Sequence, residues 1–362
     1  MFRRKNSILI VLLTVFAVDF TQGCHDLQNV FMTVKDRSGT WFNKTVSECI
    51  QRTVFDGRTA VEIHVKNQNI PNLGKDYVKN LVRLDILEFK NCAIETIARG
   101  ALKNLPVIRI VGVTHNPKLK LITGGIFDIF ETIHILRLHN NNIDTITDEA
   151  LSNMTLQEVN FSYNNFSKFD PVWFAYSPYI KHLYFQNNRI QKIQKKAFDT
   201  MQELENINFA DNKINDIGYG AFGKLRKLKT LNLRNNHLKK LNSNSFPKNF
   251  KIESLNLAGN FLLNIDRNVL STLSLDEIIL DYNCFICSCY SDLIKYFNEE
   301  NVIVKKADHC NLNYLPYCIA TGPKCIEPEM NTKEYETVTE LIEKFKDVYK
   351  SLSPFARKCA QL

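Results

Sequence analysis

The sequence of 362 residues contains no apolar stretch of the roughly 20 residues that a transmembrane helix requires. Its apolar run at 8–18 follows three basic residues at 3–5 and precedes small residues at 21–23, which is the pattern of a secretory signal peptide. The last residues, 355–362, lack the hydrophobic tail of a lipid-anchor signal. We therefore expect a signal peptide at 1–23 and a mature chain that is secreted without a membrane anchor.

Catalytic motifs are also missing. The sequence has no H-E-x-x-H, no nucleophile elbow and no phosphate-binding loop, and its eight histidines show no metal-ligand spacing. The net charge of +8 falls to +6 when residues 1–23 are removed, because three cations and Asp19 leave with them. This mildly basic balance does not indicate nucleic-acid binding. We expect no enzyme, no cofactor and no metal site.

What the sequence does contain is a recurring phrase, L-x-L-x-x-N-x-L, at 136–143, 183–190, 231–238 and 255–262. This phrase is the leucine-rich repeat signature. Its Asn position recurs every 23 to 25 residues at Gln68, Cys92, Asn116, Asn141, Asn164, Asn188, Asn212, Asn236, Asn260 and Asn283. Each repeat can bury its aliphatic strand only by stacking on its neighbours. The sequence therefore predicts an α/β leucine-rich repeat solenoid, a curved horseshoe of about ten 24-residue repeats, over 57–283.

Two columns of residues should hold this solenoid together. The eight asparagines from Asn116 to Asn283 are predicted to be structural, each turning its amide into the bend after a strand to pair buried backbone groups. A second column should stack behind the sheet as a spine, at Leu102, Phe127, Leu151, Phe174, Phe198, Phe222, Phe246 and Leu270.

The ten cysteines suit an oxidising compartment, in which pairs are expected to form disulfides. Cys24 and Cys49 lie in a predicted N-terminal cap at 24–56 and are expected to pair. The C-x-C motif at 287–289 resembles the C-terminal cap of extracellular leucine-rich repeat proteins, and we place this cap at 284–326. Zinc binding is the alternative for clustered cysteines, and secretion favours disulfides. The disulfide candidates are Cys24, Cys49, Cys287, Cys289, Cys310 and Cys325.

The number of cysteines also bears on assembly. Cys92 falls in the buried Asn column and is expected to be an inert core thiol. If Cys92 stays free and Cys24 pairs with Cys49, seven of the ten cysteines remain, which is an odd number. One of them would then bond to another chain or stay reduced. The candidates for an interchain bond are Cys318, Cys359 and Cys284.

The last segment, 327–362, is predicted to form an amphipathic helix and a tail. Apolar residues recur at three- and four-residue steps from Tyr335 to Leu352, after a helix start near Asn331. This apolar face either packs on the cap or docks against a partner helix.

The strand pattern also predicts which side chains face the hollow of the horseshoe. One patch combines Arg and Tyr, the residue types that anchor protein interfaces, with two histidines. A solvated sheet face is the alternative. The candidate protein-binding residues are Arg137, His139, Tyr163, His182 and Tyr184.

Two surface features are predicted besides this patch. Sequons for N-glycosylation occur at Asn43, Asn153, Asn160 and Asn165, and a sugar on Asn160 would stand in the hollow. The stretch 217–251 holds nine basic residues and no acid. It could attract an anionic glycan or form a solvated flank, and its candidate residues include Lys224, Arg226, Lys227 and Lys229.

The C-terminal part resembles a known family. The run Ala307-Asp-His-Cys310, Cys318 beside Tyr317, a following helix and a closing Arg357-Lys-Cys359 are similar to the cap region of the mosquito leucine-rich immune proteins. The chain resembles a short member without the extended coiled coils. The resemblance implies a secreted haemolymph protein that forms disulfide-linked complexes, with a related leucine-rich repeat chain or a thioester-containing complement-like protein as partner.

These observations predict a recognition or scaffold protein of insect innate immunity. The alternative is a matrix or adhesion-type ligand binder, directed to glycans through the basic stretch.

Overall fold

The computed structural model of the protein describes residues 29–148, 150–283 and 285–306. These residues form two α-helices, α1 (Arg267–Leu270) and α2 (Cys287–Glu299), three short 3-10 helices (Arg52–Phe55, Pro171–Phe174 and Ser243–Ser245) and many short strands. In chain order the strands are β1 (Val30–Asp36), β2 (Trp41–Val46), β3 (Ala60–Lys66), β4 (Asn72–Leu73), β5 (Val78–Lys79), β6 (Ile86–Lys90), β7 (Thr96–Ile97), β8 (Leu102–Lys103), β9 (Ile110–Thr114), β10 (Leu121–Ile122), β11 (Ile135–Arg137), β12 (Thr145–Ile146), β13 (Glu158–Asn160), β14 (His182–Tyr184), β15 (Lys192–Ile193), β16 (Asn206–Asn208), β17 (Asp216–Ile217), β18 (Thr230–Asn232), β19 (Phe250–Asn256), β20 (Leu273–Ile279) and β21 (Ile303–Lys305).

Thirteen of these strands form one sheet, in the order β2-β1-β3-β6-β9-β11-β13-β14-β16-β18-β19-β20-β21. The first two strands are an antiparallel hairpin, and every neighbouring pair from β3 to β21 is parallel. The predicted solenoid of about ten turns is confirmed. Helices are few among the described residues, because the return segments mostly pair as two-stranded sheets, β4-β7, β5-β8, β10-β12 and β15-β17.

The repeat phrase forms this sheet because its aliphatic residues stack in register. Leu136 lies opposite Val159, and Val159 lies opposite Leu183 on the next turn. All three side chains are fully buried. Alternate residues of each strand point to the other side of the sheet, where solvent begins. The stacking that builds the core therefore also fixes which side chains are displayed.

The Asn column binds each turn to the preceding one. Nδ2 of Asn188 donates to the carbonyl oxygens of Phe185 in its own turn and Phe161 in the preceding turn, both at 3.0 Å. Its Oδ1 accepts from the amide of Phe166 at 3.1 Å. Amides that likewise join two successive turns occur at Asn116, Asn141, Asn164, Asn212, Asn236, Asn260 and Asn283.

The first two turns fill this slot differently. Gln68 reaches to the N-terminal hairpin, where its Oε1 accepts from the amide of Phe31 at 2.8 Å and its Nε2 donates to the carbonyl of the same residue. Cys92 stays in the column, and its thiol lies 3.4 Å from the carbonyl oxygens of Val65 and Lys90. The longer glutamine side chain thus joins the hairpin to the first turn, whereas the thiol makes only weak bonds.

Cys92 is expected to resist alkylation in the folded protein. Burial raises the pKa of its thiol from an ordinary value of 9.0 to about 11, so about 100-fold less thiolate is present at mildly alkaline pH. Iodoacetamide labelling without reductant, followed by peptide mass spectrometry, should modify Cys92 only after denaturation. Rapid labelling of the native protein would contradict a buried, inert thiol.

Aromatic rings fill the space behind the sheet. The rings of Phe198, Phe222 and Phe246 stack in sequence, with centroids 5.4 and 5.2 Å apart. A second set packs between this column and the strands, around Phe169 and Trp173. The core is therefore continuous from turn to turn.

The two ends of the described solenoid are covered by different elements. The β1-β2 hairpin covers the first turn, and α2 packs Leu293 and Phe297 into the core at the other end. Cys49 and Cys289 each take part in a disulfide bond. The predicted signal peptide and the predicted helix at 327–362 lie outside the described residues, as do six cysteines: Cys24, Cys284, Cys310, Cys318, Cys325 and Cys359. Across the described ranges, no helix has the length and apolar character to cross a bilayer.

Candidate protein-binding surface

The solvent side of the sheet carries one continuous row of side chains, because the strands are in register. We call it the central row. Neighbouring strands place its members directly opposite one another, in the order His64, Glu88, Gly112, Arg137, Asn160, Tyr184, Asn208, Asn232, Asn256 and Ile279.

An ion-pair network occupies the first part of the central row. Nδ1 of His64 lies 2.9 Å from Oε2 of Glu88, and Nη1 of Arg137 lies 3.1 Å from Oε1 of the same carboxylate. Arg137 reaches over an intervening strand to do so. That strand carries Gly112, where an added Cβ would lie 3.2 Å from Cγ of Glu88. Arg137 is thus held in place by a carboxylate two strands away.

This network couples the titration of its members. The hydrogen bond that His64 donates to Glu88 raises the pKa of His64 and lowers the pKa of Glu88. The contribution of His64 to stability is present below its unfolded pKa and is lost as pH rises through its folded pKa. The contribution of Glu88 is lost as pH falls through its own folded pKa. The pair therefore stabilises the fold most at mildly acidic pH, between the ordinary pKa values of a glutamate, 4.5, and a histidine, 6.5.

The substitution Glu88→Gln is expected to lower the pKa of His64, because it removes the charge that favours the imidazolium. The pKa can be followed from the imidazole chemical shifts in an NMR titration of the whole chain. Glu95→Gln is the matched control, since Glu95 pairs with Lys118 elsewhere on the surface. An unchanged His64 pKa in Glu88→Gln would contradict the pairing.

The histidines at the strand ends form a second feature. The rings of His115 and His139 meet edge to face with centroids 5.7 Å apart. Burial is the main reason that both pKa values are lowered, with Lys90 contributing to each. The Nδ1 atoms of both rings are buried and have no hydrogen-bond partner among the described residues.

The other predicted binding residues lie on neighbouring turns. Tyr184 follows Arg137 by two strands in the central row, and burial raises the pKa of its phenol. His182 lies on the same strand as Tyr184, and its Nδ1 is 2.8 Å from Nδ2 of Asn206. Tyr163 is 52% exposed and has a left-handed backbone with φ of 55°. The five candidates thus share the sheet side or its strand ends, but no hydrogen bond or ion pair joins one to another within the described part of the chain.

A second asparagine column lies in the central row and has a hydrogen-bonding role that is not predicted from the sequence. The side-chain oxygens of these residues accept hydrogen bonds from the backbone amide two residues later, at 3.0 to 3.1 Å. The period-24 recurrence of Asn at the middle strand position was the available signal. The members are Asn160, Asn208, Asn232 and Asn256.

Asn160 belongs both to this column and to the predicted glycosylation sites. Oδ1 of Asn160 also accepts from the hydroxyl of Ser162 at 2.7 Å, so this side chain is engaged and only partly exposed. Asn165 is also partly buried, whereas Asn43 and Asn153 are exposed. The two exposed sequons lie away from the middle of the central row.

The basic stretch is less positive than its sequence indicates. Lys227 pairs with Glu203 and Lys229 pairs with Glu205, at 2.5 and 2.7 Å, because each carboxylate lies one turn earlier. Lys224 and Arg226 are exposed, and Nη1 of Arg226 donates to the carbonyl of Lys248 at 3.3 Å. Two of the four candidate cations are therefore balanced within the protein.

Comparisons with known proteins agree with this architecture. Residues 131–190 and 178–238 match the family described as leucine rich repeat. Receptor-like protein 9b of Arabidopsis thaliana is 25% identical over 121 residues, which is 33% of this chain and only 13% of that protein. The match therefore spans a small part of this curated relative.

Solved structures show the same fold. A chain of the octameric complex of Latrophilin 3, Unc5D and FLRT2 aligns with 68% of this chain and 83% of its own, at 18% identity and a TM-score of 0.53. A chain of the mouse RP105/MD-1 complex aligns with 66% of this chain and 42% of its own, at 22% identity and a TM-score of 0.55.

The fold defines a class of solenoids in which stacked repeats build one parallel sheet. Within that class the chain has the architecture of the leucine-rich repeat proteins, which commonly bind other proteins through surfaces of this kind.

Proposed function

We propose that this protein is a secreted recognition or scaffold factor that binds other proteins through the solvent side of its sheet. Its setting would be insect innate immunity, with a thioester-containing complement-like protein as partner. The observation that carries the proposal is the central row. It contains Tyr184 and Arg137, whose guanidinium is held by Glu88, and the half-exposed Tyr163 lies beside it. Arg and Tyr are the residue types that most often dominate interface energies.

The rigidity of this surface supports the proposal. Neighbouring strands hold the side chains of the row ~4.8 Å apart, and Glu88 holds the Arg137 guanidinium in one position. A preorganised side chain loses less conformational entropy on binding than a free one. The row therefore suits recognition of a folded surface.

Tyr163 offers a sharp test. Asn tolerates the left-handed backbone at this position better than Tyr, so Tyr163→Asn should fold normally. We expect it to weaken binding to the purified complement-like protein by about tenfold, measured by surface plasmon resonance with the full chain.

Tyr176 provides the matched control, because it is 73% exposed and also has a positive φ, of 61°, but follows a turn on the back of the solenoid. Tyr176→Asn should leave the affinity unchanged. Equal affinities of the two variants would refute the role of the sheet side, and no binding by the unaltered protein would refute the partner.

Covalent pairing belongs to the same proposal. Cys92 is buried and free, so it is unsuited to an interchain bond, and Cys318, Cys359 and Cys284 remain the candidates. Electrophoresis of the secreted protein with and without reductant tests this pairing. A species whose mass halves on reduction supports a disulfide-linked complex, and a monomer under both conditions favours a protein that binds its partner without a covalent bond. Strong, salt-sensitive retention on heparin would instead favour the glycan-directed alternative at Lys224 and Arg226.

A further inference from the structure

Two lysines lie side by side on the sheet without a counter-charge. Lys66 on β3 is directly opposite Lys90 on β6, and both side chains are exposed. Like charges placed opposite each other on neighbouring strands repel. No acidic side chain forms a salt bridge with either lysine in the described part of the chain. The arrangement is therefore unfavourable unless an anion compensates it.

Neighbouring cations of the sheet, in contrast, have acidic partners. Lys35 pairs with Glu62 at 2.9 Å, and the Glu88 carboxylate pairs with both His64 and Arg137. The cations closer to the strand starts are thus balanced within the protein. Lys66 and Lys90, at the strand ends, have no such partner among the described residues.

This open row continues into the two histidines that meet edge to face. Thr114 lies opposite Lys90, and His115 and His139 follow at the ends of the next two strands. Both imidazoles have a buried Nδ1 without a partner within the described ranges. His115 has a φ of 60°, in the left-handed region that histidine, like asparagine and aspartate, tolerates better than most residues. Two imidazoles therefore lie at the same strand ends as the unpaired lysines.

We propose that Lys66, Lys90, His115 and His139, here called the strand-end strip, bind the carboxylates of an acidic segment of a protein partner. The inference rests on the proposed function and adds the chemistry of the partner. Two ammonium groups about one strand spacing apart match two neighbouring acidic side chains. Imidazoles supply hydrogen-bond donors to the same carboxylates.

Charge density favours an acidic peptide over a sulfated glycan. Burial and the neighbouring cations lower the pKa values of both histidines, so the strip carries only two full charges at neutral pH. A sulfated polymer bound electrostatically would gain little from so few cations. The short, mixed strip instead suits one or two carboxylates that accept hydrogen bonds as well as charge.

The strip should bind more tightly as pH falls. A bound carboxylate stabilises the imidazolium form, so binding and protonation favour each other. Around His139, the cations Lys90 and Arg137 and the ring of His115 oppose protonation, and Glu88 favours it. An added carboxylate shifts this balance toward the charged form.

The test uses the full chain and a fluorescein-labelled peptide of alternating Glu and Gly, followed by fluorescence anisotropy. The double variant Lys66→Gln/Lys90→Gln is expected to bind about tenfold more weakly. It should be as stable as the unaltered protein or more so, because the repulsion is gone. The matched control, Lys227→Gln/Lys229→Gln, loses the same charge and should bind within about twofold of the unaltered protein.

The histidines have a separate readout. The unaltered protein should bind the peptide more tightly at about pH 6 than at about pH 7.5, and His115→Asn/His139→Gln should abolish this difference. Equal weakening by both lysine pairs, or no binding by the unaltered protein, would overturn the proposal. Retention on heparin that depends on Lys66 and Lys90, without peptide binding, would also overturn it. Loss of complement-like protein binding with intact peptide binding would reject only the named partner.

Discussion

Asn236→Ala is expected to lower the free energy of unfolding by about 3 to 5 kcal/mol. The fully buried amide donates to the carbonyls of Phe209 and Leu233 at 2.9 and 3.0 Å and accepts from the amide of Ile214 at 2.9 Å. Alanine would leave these backbone groups buried without partners, and each such loss costs about 1 to 3 kcal/mol. Urea denaturation followed by circular dichroism measures the effect.

The control for this substitution lies in the same turn. Asn232→Ala removes a half-buried side chain whose oxygen accepts only from the amide of Arg234, at 3.0 Å. Solvent can replace that bond, so the expected loss is about 1 kcal/mol or less. Similar losses for the two variants would show that the buried column does not hold the turns together.

Phe169→Ala is expected to destabilise the protein by about 3 to 5 kcal/mol. The Phe169 ring lies 5.2 Å from the ring of Phe198, 5.4 Å from those of Phe185 and Phe209 and 6.2 Å from that of Trp173. It therefore joins the aromatic column to the strands over three turns. Removal would leave a cavity that several rings cannot fill without leaving their rotamers.

Phe31→Ala is the matched control, because Phe31 is 47% exposed on the hairpin. Its loss should cost less than about 1 kcal/mol. Hydrogen exchange adds a spatial readout, since Phe169→Ala should lower protection first in the turns around β13 and β14. Uniform loss of protection along the whole chain would contradict a local effect.

The turns could be predicted from sequence because one polar residue recurs at a fixed spacing. Asn188 and Asn212 each mark the bend after a strand, so the strand and its solvent-facing residues can be counted backward from them. The same reasoning placed Arg137 and Tyr184 in one row. It could not supply the partners of these side chains.

The ion pairs were harder to predict because they join residues of different turns. Glu88 reaches Arg137 only because Gly112, on the strand between them, has no side chain. In the sequence Lys227 belongs to a run of cations, because its partner, Glu203, lies 24 residues earlier. Comparison of each charge with residues one repeat away would have found this pair.

Gln68 illustrates a third limit. Its position in the Asn column was predictable, but its bonds to Phe31 depend on a hairpin that has no repeat of its own. Ends of a periodic structure follow no period, so their contacts cannot be read from spacing.

The buried amides also determine how the molecule would respond to mechanical load. Each of them bonds only its own turn and the one before it, so tension applied along the axis acts on one junction at a time. The solenoid should therefore extend in successive steps of similar length, about one repeat each, instead of rupturing at once. The weakest step is expected at the second turn, where the Cys92 thiol takes the place of an amide.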